Sequence, residues 1–124
     1  MKTNASKKLY NIASGTTICG KWNKRSYKII RKLGEGANGV VYLAEYDKQL
    51  VACKLSENYG SIASEMNILK SFSKVQGSSL GPYLIDADDW KMGLDTVAFY
   101  VMEYIKGKDL LTFIKEYGED WIEV

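Results

Sequence analysis

The sequence contains no histidine, so every catalytic motif that needs this residue is excluded. It has only two cysteines, Cys19 and Cys53, and they do not show the spacing of metal ligands. With no signal peptide, both are expected to be reduced thiols that act as small hydrophobic residues in a cytoplasmic protein. No apolar run approaches the roughly 20 residues that a membrane-spanning helix needs, so no membrane segment is predicted in this chain.

An excess of charge of one sign is also lacking. The 17 basic and 15 acidic residues leave a net charge of +2, and the basic residues form no long run. Nucleic-acid binding is therefore not predicted. The nearest candidates, Lys7-Lys8 and residues 21 to 25, are interpreted as a polar tail and a charged turn. The 124 residues, with 46% hydrophobic content, are enough for one domain with a core.

One acidic group could suggest a metal site. Asp86, Asp88 and Asp89 lie in a segment that is predicted to be a strand. Because side chains alternate along a strand, Asp86 and Asp88 share one face and Asp89 lies on the other. No metal site is therefore predicted, and the group is interpreted as a solvated face of the sheet.

Hydrophobic periodicity and turn residues divide the chain into short elements. Residues 1 to 13 are polar and are expected to be held loosely. The predicted helix covers residues 61 to 75, and the predicted strands cover residues 15–22, 27–33, 40–46, 50–55, 83–89 and 96–102. Turns are expected near residues 23 to 26 and at Asp47-Lys48.

The most informative stretch is residues 33 to 43, which read LGEGANGVVYL. This is a G-x-G-x-x-G run with strand-like sequence on both sides. A dinucleotide-binding fingerprint leads from a strand into a helix, whereas these glycines join two strands. Two strands joined in this way are typical of the glycine-rich loop that covers the ATP phosphates in protein kinases. Taken alone, the run is equally compatible with a flexible hairpin.

The next segments add two charged residues at positions that invite pairing. In the predicted strand Val51-Ala52-Cys53-Lys54, alternation places Ala52 and Lys54 on one face. In the predicted helix, apolar residues recur at 62, 66, 69 and 72, Ser61 is expected to cap the N-terminus, and Glu65 lies one turn before Leu69. Lys54 and Glu65 could each instead be an ordinary solvated charge on the surface. Further along, residues 97 to 107 read VAFYVMEYIKG, a buried strand that ends at a glycine turn.

In this order, the segments between residues 27 and 109 resemble the N-terminal lobe of eukaryotic-type Ser/Thr protein kinases. Within that family they are most similar to the small membrane-anchored kinases of spore-forming bacteria. The resemblance implies an α+β fold, with a five-stranded antiparallel sheet, one αC-like helix and a C-terminal helical tail. It also implies a polar lead (1–14), an N-lobe (15–105), and a hinge exit with the start of a C-lobe (106–124).

The resemblance also implies roles for individual residues. Lys54, held by Glu65, would face the α- and β-phosphates, and these two are the expected catalytic residues. Met102 matches the gatekeeper, Glu103 and Ile105 offer backbone groups to adenine, and Asp109 matches the acidic position that often meets the ribose. Asn38 departs from the aromatic residue common at the loop tip. Its amide tolerates positive φ and hydrogen-bonds locally, which predicts a stiffer tip. The expected ATP-binding residues are Leu33, Gly34, Glu35, Gly36, Ala37, Asn38, Gly39, Val41, Ala52, Lys54, Met102, Glu103, Ile105 and Asp109.

Several other motifs of protein kinases are missing from the sequence. The sequence has no H-R-D, no D-F-G, no A-P-E and no catalytic-loop Asn, which supply the base and the magnesium ligands. ATP is therefore the expected ligand, whereas Mg²⁺ and protein substrates are expected for a full-length parent only, and this chain alone is expected to transfer no phosphate. The alternative is a non-catalytic interaction module with an N-lobe-like fold. Downstream coding sequence with H-R-D and D-F-G would favour the kinase.

The last part of the chain predicts a surface for association. Leu110, Ile114, Tyr117 and Trp121 recur at helical spacing and would meet a C-lobe in a complete kinase. Left uncovered, this face predicts self-association of the chain. The expected location is the cytoplasm, and the resemblance allows an anchor of the parent at the cytoplasmic face of the membrane.

Overall fold

The computed structural model describes residues 8–76 and 83–104 of the chain. The elements in chain order are β1 (Thr17–Cys19), β2 (Ser26–Gly36), β3 (Gly39–Tyr46), β4 (Gln49–Ser56), α1 (Tyr59–Gln76), β5 (Leu84–Met92) and β6 (Asp95–Glu103). The strands form one sheet in the order β1-β2-β3-β4-β6-β5, and every neighbouring pair is antiparallel. Within these residues, no helix is both long and apolar enough to cross a membrane.

The predicted α+β fold is confirmed, with one more strand in the sheet than the resemblance implied. The sheet has six strands, and the additional one is β1 at its edge. β1 pairs with β2 through Ile18 opposite Tyr27. Each predicted strand range overlaps an observed strand; β1 is shorter than residues 15–22, and the other strands extend beyond their predicted ranges.

Two tight hairpin turns fix the register of the central strands. Residues 37 and 38 connect β2 to β3, where Gly36 pairs with Gly39. Asp47 and Lys48 connect β3 to β4 with φ angles of 49° and 64°. Such left-handed two-residue turns match the right-handed twist of the strands that they join. The predicted turn at Asp47-Lys48 is confirmed.

Both faces of the sheet are buried. The helix-side face packs against α1, and its buried cluster consists of Val41, Ala52, Ile62, Leu69, Ala98, Tyr100 and Met102. The outer face carries the alternate residues of the same strands; its buried cluster includes Ile18, Tyr27, Ile29, Val40, Tyr42, Val51, Cys53, Leu55, Phe99 and Val101. A strand buried on both faces has few polar positions, which explains the nearly continuous apolar run of β4 around Lys54.

The segment before β1 is not loosely held where the structure describes it. Leu9 and Tyr10 are buried against the outer face. The Tyr42 hydroxyl donates to the Leu9 carbonyl at 2.6 Å and accepts the Ile12 N–H at 3.0 Å. The expectation of a loosely held lead is therefore wrong for residues 8 to 12, because the apolar outer face needs a cover and Leu9 and Tyr10 provide part of it.

The acidic residues of β5 are not a solvated face, so that interpretation is wrong. Asp86 and Asp88 are both buried on the outer side. Asp86 accepts hydrogen bonds from the Tyr27 hydroxyl and the Asn23 side-chain amide, each at 2.7 Å. Asp88 accepts the backbone N–H groups of Trp22 and Asn23 at 3.0 and 2.7 Å. These carboxylates satisfy the polar groups of the turn between β1 and β2, which explains their burial.

Two smaller expectations also need correction. The N-terminal cap of α1 is Asn58, whose side-chain oxygen accepts the Ser61 N–H at 3.0 Å, so Ser61 is not the cap. The helix begins at Tyr59, two residues before its predicted start at residue 61, so the residue that precedes its first turn is Asn58. Cys53 is a buried thiol as expected, but Cys19 is exposed.

Candidate functional site

The centre of the candidate site is a buried ion pair between Lys54 of β4 and Glu65 of α1. The Lys54 ammonium nitrogen lies 2.9 Å from each carboxylate oxygen of Glu65. The two residues are only 6% and 3% exposed. The connection between β4 and α1 consists of residues 57 and 58 alone, which sets the second turn of the helix over Lys54. The short connection therefore produces the pairing that the resemblance implied.

Tyr100 of β6 is a third member of this group, and the sequence analysis missed it. Its hydroxyl donates to Glu65 Oε1 at 2.6 Å, and its side chain is fully buried. Tyr100 pairs with Lys54 across β4 and β6, so both project from the helix-side face. Burial, followed by the charge of Glu65, raises the pKa of Tyr100 well above its ordinary value, so the phenol remains a donor. One sequence signal existed: Tyr100 shares the strand face of Met102 by alternation.

This group satisfies the electrostatic demands of burial. An unpaired buried charge is costly, whereas a charge with several hydrogen bonds is tolerated. The Glu65 carboxylate receives two contacts from Lys54 and one from Tyr100. The Glu65 carboxylate, itself bonded to Tyr100, therefore holds the Lys54 ammonium group in place.

Apolar residues expected to surround an adenine ring come together beside the ion pair. Val41, Ala52 and Met102 belong to the helix-side cluster, and Leu33 packs against it. Ala52 lies directly opposite Met102, and Val41 lies opposite Lys54. Because Ala52 is small, the strand face next to Lys54 presents little side-chain volume. The described strands therefore place an apolar cluster next to the cation, and its members Val41, Ala52 and Met102 are themselves buried.

The glycine-rich loop lies close to this cation. Gly39 has a φ angle of 143°, and a Cβ atom there would collide with the Leu55 carbonyl oxygen and lie 3.2 Å from Lys54 Cε. Only glycine fits this approach without strain. The positive φ at the loop tip falls on Gly39 and not on Asn38, so the conformational reason given for Asn38 is wrong.

The other loop residues lie at the end of the β2–β3 hairpin. Gly34 pairs with Val41 and Glu35 with Val40. Glu35 is exposed, and its carboxylate lies 2.6 Å from the Lys32 ammonium group in a surface ion pair. The loop carries no positive charge of its own. Its capacity to bind an anion would come from backbone N–H groups and from Lys54.

Tyr10 is a second residue that the sequence analysis missed. Its hydroxyl donates to the Gly36 carbonyl at 2.8 Å, although the two residues are 26 positions apart. The contact connects the segment before β1 to the tip of the β2–β3 hairpin. The polar character of residues 1 to 13 gave no signal for it.

The predicted hinge is described only in its first part. The Glu103 N–H donates to the Tyr83 carbonyl at 2.9 Å, and Glu103 pairs with Val51 at the end of β6. Ile105 and Asp109 lie outside the described residues. The same is true of the helix face proposed for self-association. Both expectations therefore stay predictions.

Chemically, the arrangement is a cation held at a fixed position, next to a glycine turn and an apolar surface. A buried ammonium with a fixed counter-ion can bind an anionic group placed beyond it. Among the described residues, no group of three or more His, Cys, Asp or Glu side chains could hold a metal ion. Within the described residues, the arrangement can therefore offer a fixed positive charge to an anionic group.

Known proteins share both the sequence and the fold. The chain is 49% identical over 116 residues, 92% of its length, to serine/threonine-protein kinase YabT of Bacillus subtilis (strain 168). It spans 34% of the length of that relative. The fold matches the structure of vaccinia related kinase 3 with a TM-score of 0.55 and 19% identity, over 81% of this chain and 33% of the other. No protein-family model matches the chain. The resemblance to the N-terminal lobe of Ser/Thr protein kinases is thereby confirmed, by sequence similarity to one bacterial kinase and by a fold shared with the structure of a second kinase.

Proposed function

We propose that this chain is the ATP-binding half of a bacterial Ser/Thr protein kinase. The observation that carries the proposal is the buried Lys54–Glu65 pair, which lies directly beneath a glycine-rich turn. An ammonium group buried at this point is difficult to explain by stability alone, since such pairs contribute little net stability. The triphosphate of ATP would be a ligand for both the Lys54 ammonium group and the glycine-rich turn.

Each expected residue then has a definite role. The adenine ring lies against Val41, Ala52 and Met102, and backbone groups of Glu103 and Ile105 bind its edge. Backbone N–H groups of residues 35 to 39 contact the β- and γ-phosphates, and Lys54, held by Glu65, neutralises the α- and β-phosphates. Asp109 meets the ribose. In this scheme the chain positions ATP and stabilises charge, and it performs no proton transfer.

The proposal assigns the remaining chemistry to a longer protein. The parent transfers a phosphoryl group from ATP to Ser or Thr of a protein substrate in the cytoplasm, and its Mg²⁺ ligands and base lie outside the 124 residues. This chain alone transfers no phosphate. Magnesium-dependent labelling of a general protein substrate by the purified chain, lost in Lys54→Met, would contradict that statement.

The test of nucleotide binding compares ligands that differ only in their phosphates. Dissociation constants for ATP and adenosine are measured by NMR titration of the wild-type chain and of Lys54→Met. Because this chain holds only half of the proposed site, we expect a dissociation constant for ATP in the millimolar range, which corresponds to a binding free energy of roughly 4 kcal/mol. ATP should bind more tightly than adenosine in the wild type, and Lys54→Met should remove most of that difference.

The matched control is Lys32→Met, which removes a cation from the surface pair next to the same loop. It should leave the difference between ATP and adenosine nearly unchanged. Equal loss in both variants would mean that nonspecific attraction, and not the site, binds the phosphates. Equal affinity of the wild type for ATP and adenosine would contradict the proposed function.

A further inference from the structure

The outer face of the sheet carries a segment that reaches the back of the glycine-rich loop. Residues 8 to 12 lie across this face, where Leu9 is buried. The Tyr42 hydroxyl anchors the segment by two hydrogen bonds, to the Leu9 carbonyl and from the Ile12 N–H. Tyr10 lies between these two anchor points, so its position relative to β3 is fixed from both sides.

From this position, the Tyr10 hydroxyl reaches the turn of the glycine-rich loop. Its hydroxyl donates to the Gly36 carbonyl at 2.8 Å. Burial, followed by the charge of Glu35, raises the pKa of Tyr10, while a hydrogen bond with the Gly39 backbone lowers it. The phenol is therefore neutral at physiological pH, and its hydroxyl is bonded to Gly36, the residue before the turn.

A held carbonyl also fixes the direction of the next N–H group. The described residues contain no cis peptide bond, and the C=O and N–H of a trans peptide point in opposite directions. When Tyr10 holds the Gly36 carbonyl, the N–H of Ala37 is turned away from Tyr10. Tyr10 belongs to the outer-face cluster, whereas Lys54 projects from the opposite face. The Ala37 N–H is thus directed away from the outer cover of the sheet.

We propose that Tyr10 is a positioning residue for phosphate binding: its hydroxyl holds the glycine-rich loop so that the Ala37 N–H faces the phosphates beside Lys54. This inference rests on the proposed function for its ligand, the phosphates of a nucleotide. It assigns the segment before β1 a role in the nucleotide site that its covering of the outer face does not require. Loop backbones without such support must be ordered by the ligand itself, which lowers affinity.

The test separates the hydroxyl from the aromatic ring. Tyr10→Phe keeps the ring that covers the outer face and removes only the bond to the loop. The matched control is Tyr27→Phe, which removes another buried outer-face hydroxyl whose partner is Asp86, away from the loop. Both variants are compared with the wild type for ATP affinity, adenosine affinity, and the hydrogen-exchange rates of the Ala37 and Gly39 amides without nucleotide.

The loss of one hydrogen bond corresponds to a change of roughly 2- to 10-fold. Tyr10→Phe is therefore expected to weaken ATP binding by a factor in that range, to leave adenosine binding unchanged, and to speed exchange at Gly39. Tyr27→Phe should change neither the ratio of the two affinities nor the exchange at the loop. A Tyr10→Phe chain with the wild-type ratio, or with unchanged exchange at Gly39, would overturn the inference.

Failure of the proposed function gives a different result. If the wild type binds ATP and adenosine equally, the nucleotide site itself is contradicted, and the role of Tyr10 toward phosphates is contradicted with it. If the wild type prefers ATP and Tyr10→Phe keeps that preference, the nucleotide site stands and only the role of Tyr10 is lost. The exchange rates, measured without ligand, decide independently whether Tyr10 holds the loop.

Discussion

Removing one partner of the buried ion pair should cost far more than removing both. In Lys54→Met, the Glu65 carboxylate stays buried and keeps Tyr100 as its described partner. Leaving one member of a buried pair alone typically costs 3–5 kcal/mol. Because Tyr100 still donates to the carboxylate, the expected loss in the free energy of unfolding is at the lower end, about 3 kcal/mol.

A second substitution should restore most of this loss. Glu65→Gln removes the charge, but its amide oxygen can still accept the Tyr100 hydroxyl. The double variant Lys54→Met/Glu65→Gln therefore contains no uncompensated charge. We expect its stability to lie within about 1 kcal/mol of the wild type, since replacing a buried pair by neutral groups is often nearly neutral. The two substitutions should thus be strongly non-additive.

Equilibrium unfolding in urea measures these differences, with Lys32→Met as the surface control. The Lys32–Glu35 pair is solvated, so its loss should have little effect on stability. The reasoning is refuted if Lys54→Met is no more destabilised than Lys32→Met. It is also refuted if the double variant loses the sum of the two single effects.

Three further predictions concern tyrosines and glycines. Tyr100→Phe should lower the free energy of unfolding by about 1.5–3 kcal/mol, because a buried carboxylate loses a short hydrogen bond, and Tyr27→Phe should have a similar effect through Asp86; no effect in urea unfolding would contradict both bonds. Gly39→Ala should destabilise the chain by at least about 1 kcal/mol, whereas Gly36→Ala, with open space around its Cβ position, should be tolerated; equal stability of the two variants would show that the turn is not tightly packed. Burial raises the pKa of Tyr27 and of Tyr100, so these phenols ionise in the unfolded chain before they do so in the folded one, and stability should fall as the pH rises above about 10. Above this pH, the free energy of unfolding should fall less steeply with pH in Tyr27→Phe than in the wild type, by about 1.4 kcal/mol per pH unit. An unchanged pH dependence would contradict the buried phenol.

The local parts of the site could be predicted from the sequence. Strand alternation alone put Ala52 and Lys54 on one face, and the glycine pattern between two strand-like segments located the β2–β3 turn. The pairing of Lys54 with Glu65 did not follow from periodicity. It came from the resemblance to kinases, because either charge could equally have been solvated.

The missed contacts are all long-range hydrogen bonds. Tyr10 meets Gly36 across 26 positions, Tyr100 meets Glu65 across 35, and Tyr27 meets Asp86 across 59. Hydrophobic periodicity shows which face a tyrosine occupies but not which polar atom its hydroxyl reaches. For the same reason Asp86 was assigned to a solvated face, since its partners lie on an element distant in sequence.

The most direct test of the account is a residue-resolved NMR titration of the chain with ATP. The account predicts that the backbone amide signals of Gly36, Ala52 and Met102 shift with a common dissociation constant. It also predicts that Lys54→Met weakens this response without changing the pattern of strands. Shifts confined to other parts of the chain, or no difference between ATP and adenosine at these amides, would contradict the assignment of the nucleotide site.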